Sequence, residues 1–380
     1  MNILYISLGA IEATYSSSFR DRAIIKGFIE LGHSVDVLTI FPDNSKITVK
    51  DSKALKEAQI IRINKVFNSN DLRHKESQIR TKLLWLGRKI FHYFSIFDIS
   101  YFSIGKIDVS FLPKTQYDVI ISSSDPKTSH ILANKLINKG LIYKKWIQYW
   151  GDPLTIDITK KHIYPNFITK YIEGRIINGA SKVIYVSPFT LERQKLLFKN
   201  QAHKLTFLPI CYENEKIFVS PSQNKYTVGY FGYYSSEIRN VLPLYHAFEK
   251  LDLSLHLNIV GTSDMELNNS KNVSVYPNSN EITVFEEECH LLVVILNKTG
   301  TQIPGKVYHA AATNLPILVV IDGEEGSRIE EYLRKYNRFE FCDNNSESIA
   351  QSIKEIRDSG KKRLPCASLN ARNVAESFLK

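Results

Sequence analysis

Cysteine and long apolar runs are both scarce in this sequence of 380 residues. The four cysteines lie far apart, without a CxxC spacing or a nearby pair of histidines, at Cys211, Cys289, Cys342 and Cys366. This pattern argues against a zinc site or a disulfide framework and favours a reduced, cytoplasmic protein. No stretch has the roughly 18 consecutive apolar residues of a membrane-spanning helix, so we expect any contact with a membrane to be at its surface.

The composition is also more hydrophobic than that of a disordered chain. Hydrophobic residues make up 43% of the sequence and charged residues 23%, so we expect a folded protein. The length exceeds what one hydrophobic core usually holds, which predicts two domains. The formal net charge of +10 leaves nucleic acid, an acidic membrane surface and anionic small substrates open as partners.

No GxGxxG motif follows the first predicted strand, which argues against a dinucleotide-dependent dehydrogenase. Residues 2–8 alternate like a strand and have no basic region before them, so they predict a first β-strand and not a signal peptide. A helix over 19–31 and a second strand over 35–40 complete a βαβ unit.

A polar segment interrupts this strand and helix rhythm, which then restarts with a strand at 227–232. We predict an N-terminal Rossmann-like domain over 1–205, a linker over 206–226 and a C-terminal Rossmann-like domain over 227–368. A C-terminal helix within 369–380 is predicted to pack back on the first domain. The predicted fold class is α/β, with two Rossmann-like domains facing each other across a cleft.

The most informative stretch runs from residue 299 to residue 316. It follows a buried apolar strand at 291–296 and leads through Pro304 and Gly305 into a helix predicted over 306–313. Such a loop directs the free N–H groups and the positive dipole end of the helix at the edge of the sheet, where a phosphate commonly binds. Lys306 would add a full positive charge, or it can be a solvated first-turn lysine.

A second candidate is Asp152, which follows the predicted strand at 146–150. Loops at the carboxyl ends of parallel strands are where α/β proteins bind their ligands, so this carboxylate is expected where chemistry takes place. An aspartate before a proline, as in Asp152-Pro153, is also a common turn former, and that role stays open.

A basic and aromatic stretch covers residues 72–104. Arginines and lysines alternate there with leucine, phenylalanine, tyrosine and tryptophan. Such a stretch can lie in a membrane interface and meet anionic lipid head groups. A pair of core-facing helices with lysines and arginines extending to solvent explains the pattern equally well, and we do not expect binding to nucleic acid.

These motifs resemble those of the GT-B glycosyltransferases. They are most similar to the large retaining family that uses nucleotide sugars to build bacterial capsule, lipopolysaccharide and wall polymers. The resemblance spans nearly the whole chain and rests on the order and spacing of its parts. The matching positions are Gly9 with the first helix, 118–120, Pro209, 231–232, 259–261, 304–308 and 315–318.

The resemblance implies a donor site in the second domain and an acceptor site in the first. Arg239 and Lys306 match the basic pair that neutralises the donor diphosphate, and fixed cations stabilise the charge that grows on it during transfer. Asp152 lies where the family often has a residue that acts on the acceptor or steadies the sugar, so these three residues are predicted to be catalytic. The predicted donor-binding residues are Gly9, Gly232, Tyr233, Gly261, Tyr276, Thr301, Gln302, Gly305 and His309.

The sequence departs from the family at two positions. The family commonly has two glutamates on the 299–316 segment, and the matching positions here hold Thr301 and His309. His309 can still bond a ribose hydroxyl through a ring nitrogen, and Thr301 or Gln302 can contact the sugar. His309 can also be a half-buried helical histidine, and Arg239 a surface arginine at the start of a helix.

We therefore predict a glycosyltransferase that moves a sugar from a nucleoside diphosphate sugar to a glycan or lipid-linked glycan in cell-surface polysaccharide synthesis. We expect retaining chemistry, no metal and no cofactor beyond the nucleotide sugar. The protein is predicted to be cytoplasmic, with possible binding to the inner face of the membrane through 72–104. The alternative is a GT-B-fold partner protein that binds a nucleotide sugar or glycan without transferring it. A sugar-nucleotide epimerase would need a carboxylate pair that the sequence does not reveal.

Overall fold

The chain divides into two units. Met1–Glu213 and Ala371–Lys380 form the first unit, and Asn214–Asn370 form the second. The computed structural model describes residues 1–42, 49, 52–63, 87, 91, 93–158, 163–219, 225–279, 282–361 and 363–380. Most of the basic aromatic stretch 72–104 lies outside the described residues, as do residues 220–224 of the predicted linker.

A parallel sheet of seven strands forms the centre of the first unit. Its strands are β1 (Asn2–Ser7), β2 (Ser34–Ile40), β3 (Gln59–Ile63), β4 (Gln116–Ser124), β5 (Ile142–Trp150), β6 (Lys182–Tyr185) and β7 (Leu205–Phe207). Their order across the sheet is β3-β2-β1-β4-β5-β6-β7. β1 and β4 are central and buried along most of their length, as expected of apolar strands covered on both faces.

Helices connect most of these strands and cover the sheet. They are α1 (Ser16–Glu30), α2 (Lys53–Glu57), α3 (Thr128–Asn138), α4 (Asn166–Asn178) and α5 (Pro188–Leu197). Short 3-10 helices occupy Ile99–Lys106, Val109–Phe111 and Lys199–Lys204. Leu132, Ala133 and Leu136 of α3 are fully buried in the same apolar core as β1 and β4, which fixes this helix against the sheet.

The second unit has a parallel sheet of six strands. They are β8 (Tyr226–Phe231), β9 (Leu255–Val260), β10 (Val273–Tyr276), β11 (Leu291–Ile295), β12 (Ile317–Ile321) and β13 (Glu340–Asp343). Their order is β10-β9-β8-β11-β12-β13. The helices of this unit are α6 (Leu242–Lys250), α7 (Ile282–Glu287), α8 (Gly305–Ala310), α9 (Gly326–Arg334) and α10 (Ser346–Ser359).

The last helix of the chain, α11 (Ala371–Leu379), packs in the first unit. The ring of Phe378 lies edge-on to Phe28 of α1 at 5.4 Å and to Tyr149 of β5 at 5.0 Å between centroids. Arg372 donates from Nη1 to the carbonyl oxygen of Glu30, at the end of α1, at 2.9 Å. Burial of the apolar face of α11 therefore completes the core of the first unit.

The strand order of each sheet changes direction once, between β1 and β4 and between β8 and β11. In open parallel sheets, ligands bind near such a point, outside the carboxyl ends of the strands. We call residues 8–15, 125–127 and 151–158 the first carboxyl edge, and residues 232–241 and 296–304 the second carboxyl edge. None of the helices in the described part of the chain is long and apolar enough to span a membrane.

Candidate functional site

At the second carboxyl edge, a lysine side chain lies against a glycine. Gly232 follows β8 with a φ of +108°, and a Cβ added to it would overlap Nζ of Lys306. That ammonium donates to the carbonyl oxygen of Phe231 and lies 5.3 Å from the ring centroid of Tyr230. Only glycine accepts both this backbone conformation and this close approach. Two of the predicted donor-site residues, Gly232 and Lys306, are therefore in direct contact.

The ammonium of Lys306 is poorly compensated. Burial lowers the pKa of Lys306 well below the usual range of lysine, and the positive charge of Arg239 lowers it further. Within the described residues, no carboxylate forms an ion pair with Lys306. A bound anion would stabilise the charged form of Lys306, so this place suits a negatively charged ligand.

Arg239 is held by the backbone of its own loop and by Asn297. Ser235 and Arg239 exchange two backbone hydrogen bonds of 3.0 and 3.1 Å, which close the loop after β8 into a turn. Arg239 donates from Nε to Asn297 Oδ1 at 2.8 Å and from Nη1 to the carbonyl oxygen of Tyr233 at 3.4 Å. Asn297 in turn donates from Nδ2 to the carbonyl oxygen of Gln302 at 3.1 Å. The loops after β8 and β11 are thereby joined, which fixes Arg239 at the switch point of the sheet.

Gly261, another predicted donor-site residue, follows β9 and touches Gly232. A Cβ on Gly261 would overlap the carbonyl oxygen of Gly232, so the two backbones are in contact. A surface pocket of about 400 Å³ adjoins Gly261 and includes Tyr276 in its lining. The ring of Tyr276 packs against Phe285 at 4.9 Å between centroids. The pocket is thus connected to Lys306 through two adjacent glycines.

The other predicted donor-binding residues of the second unit lie close to these in the sequence. Thr301 and Gln302 are buried in the loop after β11, and Gly305 is the first residue of α8. His309 is half-buried in the last turn of that helix. Tyr233 is exposed and follows Gly232.

The helix that begins at Gly305 is shorter than predicted. The sequence predicted a helix over 306–313, but α8 ends at Ala310. Backbone groups just beyond it bond to remote segments, because Ala311 O accepts from Cys366 N and Ala312 O accepts from Lys216 N, both at 2.9 Å. A helix of six residues has a weak dipole, so the side chains of Arg239 and Lys306 supply most of the positive charge here.

Gly9 lies in the first unit, in the loop after β1. Its carbonyl oxygen accepts a hydrogen bond from Thr39 Oγ1 at 2.8 Å. A Cβ on Gly9 would lie 3.4 Å from the carbonyl oxygen of Asp125, which follows β4. Gly9 therefore belongs to the first carboxyl edge, in the same unit as Asp152.

Asp152 follows β5 and lies close to two other carboxylates. Burial, followed by repulsion from Asp125 and Asp157, raises the pKa of Asp152 to about 6, although Lys127 and Arg20 act in the opposite direction. A carboxyl group with such a pKa changes protonation near neutral pH, which suits a group that orients or deprotonates a hydroxyl.

Lys127 is the cation among these carboxylates. Its side chain is 2% exposed and forms ion pairs with Asp125 at 2.8 Å and with Asp157 at 3.2 Å. Burial alone would lower the pKa of Lys127, but Asp125, Asp157 and Asp152 outweigh that effect and raise it. Lys127 was not predicted from the sequence, although its place directly after Asp125-Pro126 at the end of β4 was a usable signal.

Arg20 reaches the first carboxyl edge from α1. Its buried guanidinium donates to Ser123 Oγ at 2.9 Å and to the carbonyl oxygen of Ser124, and it lies 4.7 Å from the ring centroid of Tyr149. A Cβ on Gly151 would overlap Nη1 of Arg20, so the arginine lies directly against the residue before Asp152. The sequence did not indicate this role, because a charged residue in a helix is usually exposed.

No group of three or more histidine, cysteine, aspartate or glutamate side chains is arranged to hold a metal ion in the part of the chain that the structure describes. The carboxylates of Asp125 and Asp157 surround an ammonium instead. The expectation that the protein uses no metal stays a prediction.

No protein-family model and no curated protein sequence matches this chain. Solved structures match almost all of it. A glycosyltransferase from Rickettsia africae is 14% identical with a TM-score of 0.52, and the match covers 99% of this chain and 92% of the other. Anabaena HepE, solved with UDP and glucose, is 13% identical with a TM-score of 0.53 over 100% and 95%. The catalytic domain of starch synthase IV from Arabidopsis thaliana, bound to ADP and acarbose, is 10% identical with a TM-score of 0.53 over 95% and 92%.

Structural similarity at such low sequence identity establishes the fold of the chain. Both sheets are parallel and Rossmann-like, and the whole chain aligns with glycosyltransferase structures. The chain therefore has the GT-B fold, which confirms the fold class predicted from the sequence.

Proposed function

We propose that this protein is a glycosyltransferase that moves a sugar from a nucleoside diphosphate sugar to a glycan or lipid-linked glycan. The observation that carries the proposal is the desolvated ammonium of Lys306, placed against Gly232 and near Arg239 at the switch point of the second sheet. Two neighbouring cations suit a diphosphate better than a neutral ligand.

The pocket at Tyr276 suits the nucleoside of the same donor. Lys306 lies against Gly232, Gly232 contacts Gly261, and Gly261 lines that pocket, so the proposed positions of the diphosphate and the nucleoside adjoin each other. Thr301 and Gln302, on the loop next to Arg239, are the proposed contacts of the sugar. HepE was solved with UDP and starch synthase IV with ADP, which are nucleotides of this class.

The proposed chemistry divides between the two carboxyl edges. When the bond between the sugar and the diphosphate breaks, negative charge grows on the leaving group, and Lys306 and Arg239 stabilise it more in the transition state than in the ground state. Asp152 orients the acceptor hydroxyl or steadies the positively charged sugar. In a retaining reaction the donor phosphate itself takes the proton of that hydroxyl. The two cations do the work that a metal ion would otherwise do.

We further propose a role in cell-surface polysaccharide synthesis at the cytoplasmic face of the membrane. The support is the family resemblance in the sequence and the basic aromatic stretch 72–104. Sedimentation with vesicles of anionic lipid, compared with neutral vesicles, tests the membrane contact. Equal binding to both, or to neither, contradicts it.

A ligand screen tests the donor. Thermal unfolding is followed with UDP-, GDP-, TDP- and CMP-linked sugars, because a ligand that binds only the folded protein raises its melting temperature. We expect one nucleotide class to raise it by several degrees, roughly what binding at a hundredfold excess over Kd gives a protein of this size. If none of these compounds raises the melting temperature, the proposed donor site is wrong.

The second candidate function is a GT-B-fold partner that binds a nucleotide sugar or glycan without transferring it. Thr301 and His309 favour it, because they stand where the resembling family commonly has glutamates. The same fold can serve proteins with different activities. Release of free nucleoside diphosphate by the purified protein, with or without an acceptor, would exclude this candidate.

A further inference from the structure

The loops after β4 and β5 are tied together by one buried lysine. Lys127 comes directly after the β4 loop, and its ammonium pairs with Asp125 of that loop at 2.8 Å. The same ammonium pairs at 3.2 Å with Asp157, which lies on the loop after β5, five residues beyond Asp152. Asp157 is 3% exposed, so this second ion pair is shielded from solvent and is less screened by salt than a surface pair.

The loop that carries Asp152 is fixed at two further points. Glu173 of α4 is fully buried and accepts a hydrogen bond from the backbone N–H of Thr155 at 2.7 Å. Gln194 of α5 donates to the other oxygen of Glu173 at 3.1 Å. Arg20 lies against Gly151 on the other side of Asp152. Lys127 ties this loop to Asp125 in the loop after β4, while Arg20 links Gly151 to Ser123 and Ser124 at the end of β4.

The charges around Asp152 do not balance without Lys127. The groups that face Asp152 are Asp125 and Lys127 after β4, Asp157 on its own loop, and Arg20 of α1. Arg20 is shared with Asp21, which lies 3.4 Å from it. Without Lys127, the carboxylates of Asp125, Asp152 and Asp157 would remain close together, and like charges so placed repel one another.

We propose that Lys127 is a positioning residue for Asp152, which it holds in place by joining the loops after β4 and β5 through Asp125 and Asp157. This inference rests on the proposed function, in which Asp152 contacts the acceptor hydroxyl. Lys127 touches neither substrate in this proposal. It acts through the place and the charge of Asp152.

A pH profile separates this role from a merely structural one. Lys127→Met removes a cation and leaves the neighbouring carboxylates, so the pKa of Asp152 rises. Asp157→Asn removes a carboxylate and leaves the cation, so the same pKa falls. A general loss of packing would not move the two variants in opposite directions.

The experiment measures sugar transfer against pH for the full-length protein. We expect the acid limb of the wild-type profile near pH 6, the pKa of Asp152. Lys127→Met should shift that limb upward and Asp157→Asn downward, each by about one pH unit, as loss of a charge within a few ångströms does. Transfer by Lys127→Met at pH 7 should fall about tenfold or more, while Lys127→Arg keeps the wild-type limb. Unchanged limbs, or shifts in one direction for both variants, overturn the inference.

Lys144→Met is the matched control. It breaks an ion pair of 2.6 Å with Asp118 in the same two strands, β4 and β5, and Lys144 is 72% exposed. We expect its pH profile to match that of the wild type. If Lys127→Met does not fold, Lys127→Gln, which also removes the cation, takes its place in the comparison with Asp157→Asn.

A second measurement does not depend on activity. Thermal unfolding of Lys127→Met, Asp152→Asn and the double variant at pH 7 forms a cycle, and we expect Asp152→Asn to stabilise Lys127→Met more than it stabilises the wild type. Additive changes overturn the inference. If the wild type transfers no sugar but the cycle shows coupling, the proposed function is wrong and the positioning of Asp152 by Lys127 stands.

Discussion

The two carboxyl edges share a sheet topology and differ in charge. The first gathers Asp125, Asp152 and Asp157 around the buried ammonium of Lys127. The second brings Arg239 close to Lys306, and no described carboxylate pairs with Lys306. Identical strand orders around a switch point thus produce opposite electrostatic environments. In the proposed function, loop chemistry, and not sheet topology, would decide which edge takes the anionic donor and which takes the neutral hydroxyl of an acceptor.

The two edges also stabilise their charges differently. At the first edge, Lys127 pairs with two carboxylates, so removing it would leave Asp125, Asp152 and Asp157 to repel one another. At the second edge, Gly232 gives Lys306 access to the backbone carbonyl of Phe231, which solvates the ammonium without neutralising it. Lys127 at the first edge is paired with carboxylates, whereas Lys306 at the second edge has no carboxylate partner among the described residues.

Removal of a cation from the second edge should abolish most activity. Lys306→Met and Arg239→Met are each expected to lower kcat for sugar transfer by about 10²–10³-fold, because a preorganised charge next to the leaving group is lost. Binding of the nucleoside diphosphate, measured by calorimetry, should weaken as well. Lys250→Met is the control in the same unit, since it breaks only an exposed ion pair with Glu347. Wild-type binding and transfer by both variants would show that the donor site lies elsewhere.

Removal of the carboxylate from the first edge should separate transfer from donor binding. Asp152→Asn is expected to lower transfer by about 10²-fold, the usual contribution of a positioned acid or base. Its affinity for the nucleoside diphosphate should equal that of the wild type. Asp118→Asn, at an exposed ion pair with Lys144, serves as the control. Equal losses of donor affinity in Asp152→Asn and Lys306→Met would contradict the division between the edges.

The same substitution should stabilise the folded protein at neutral pH. The pKa of Asp152 is about 6 in the folded state and near 3.8 when unperturbed, so the folded protein binds the proton more tightly and loses stability as pH rises from about 4 to about 6. Asp152→Asn removes that loss. We expect a gain in the free energy of unfolding of about 1–3 kcal/mol at pH 7, disappearing near pH 4. Urea unfolding at the two pH values measures this gain in the free energy of unfolding. A variant that is less stable than the wild type at pH 7 would contradict the uncompensated burial of this carboxylate.

Donor binding should weaken in alkaline solution. Because the pKa of Lys306 is lowered, the lysine loses its charge at a lower pH than an exposed lysine does. Above that pKa, affinity for a nucleoside diphosphate should fall by about tenfold per pH unit at most. Lys306→Arg should bind without this fall, since arginine keeps its proton. A wild-type affinity that is constant up to about pH 10 would mean that Lys306 does not contact the diphosphate.

Much of this fold can be predicted from local sequence. The buried runs at 2–8, 117–122 and 291–296 coincide with β1, β4 and β11, because an apolar strand covered on both faces is recognisable without its neighbours. The end of α8 was not predictable in this way. It is set by backbone hydrogen bonds from Lys216 and Cys366, which are distant in the sequence.

The candidate site shows the same contrast between residues that local sequence indicates and residues that depend on distant partners. Arg239, Lys306 and Asp152 were predicted because each stands at a recognisable place after a strand or at the start of a helix, and their roles stay predictions. Lys127 and Arg20 were missed, because a buried charge depends on partners that only the fold supplies. Lys127 pairs with Asp157, 30 residues away, and Arg20 bonds to Ser123, 103 residues away.

The smallest expected effect concerns His309. If His309 donates or accepts one hydrogen bond from the ribose, His309→Ala loses about 0.5–1.5 kcal/mol, or roughly 2–10-fold in affinity for the nucleoside diphosphate. Calorimetry measures the loss, with Tyr245→Phe, a conservative change on α6, as the control. A loss within this range for Ala, recovered by His309→Glu, would show that the position still serves the ribose with a different side chain. Wild-type affinity in His309→Ala would mean that the second edge holds the nucleotide without this histidine. The charge of the second edge and the pocket at Tyr276 would then account for the difference between the two edges.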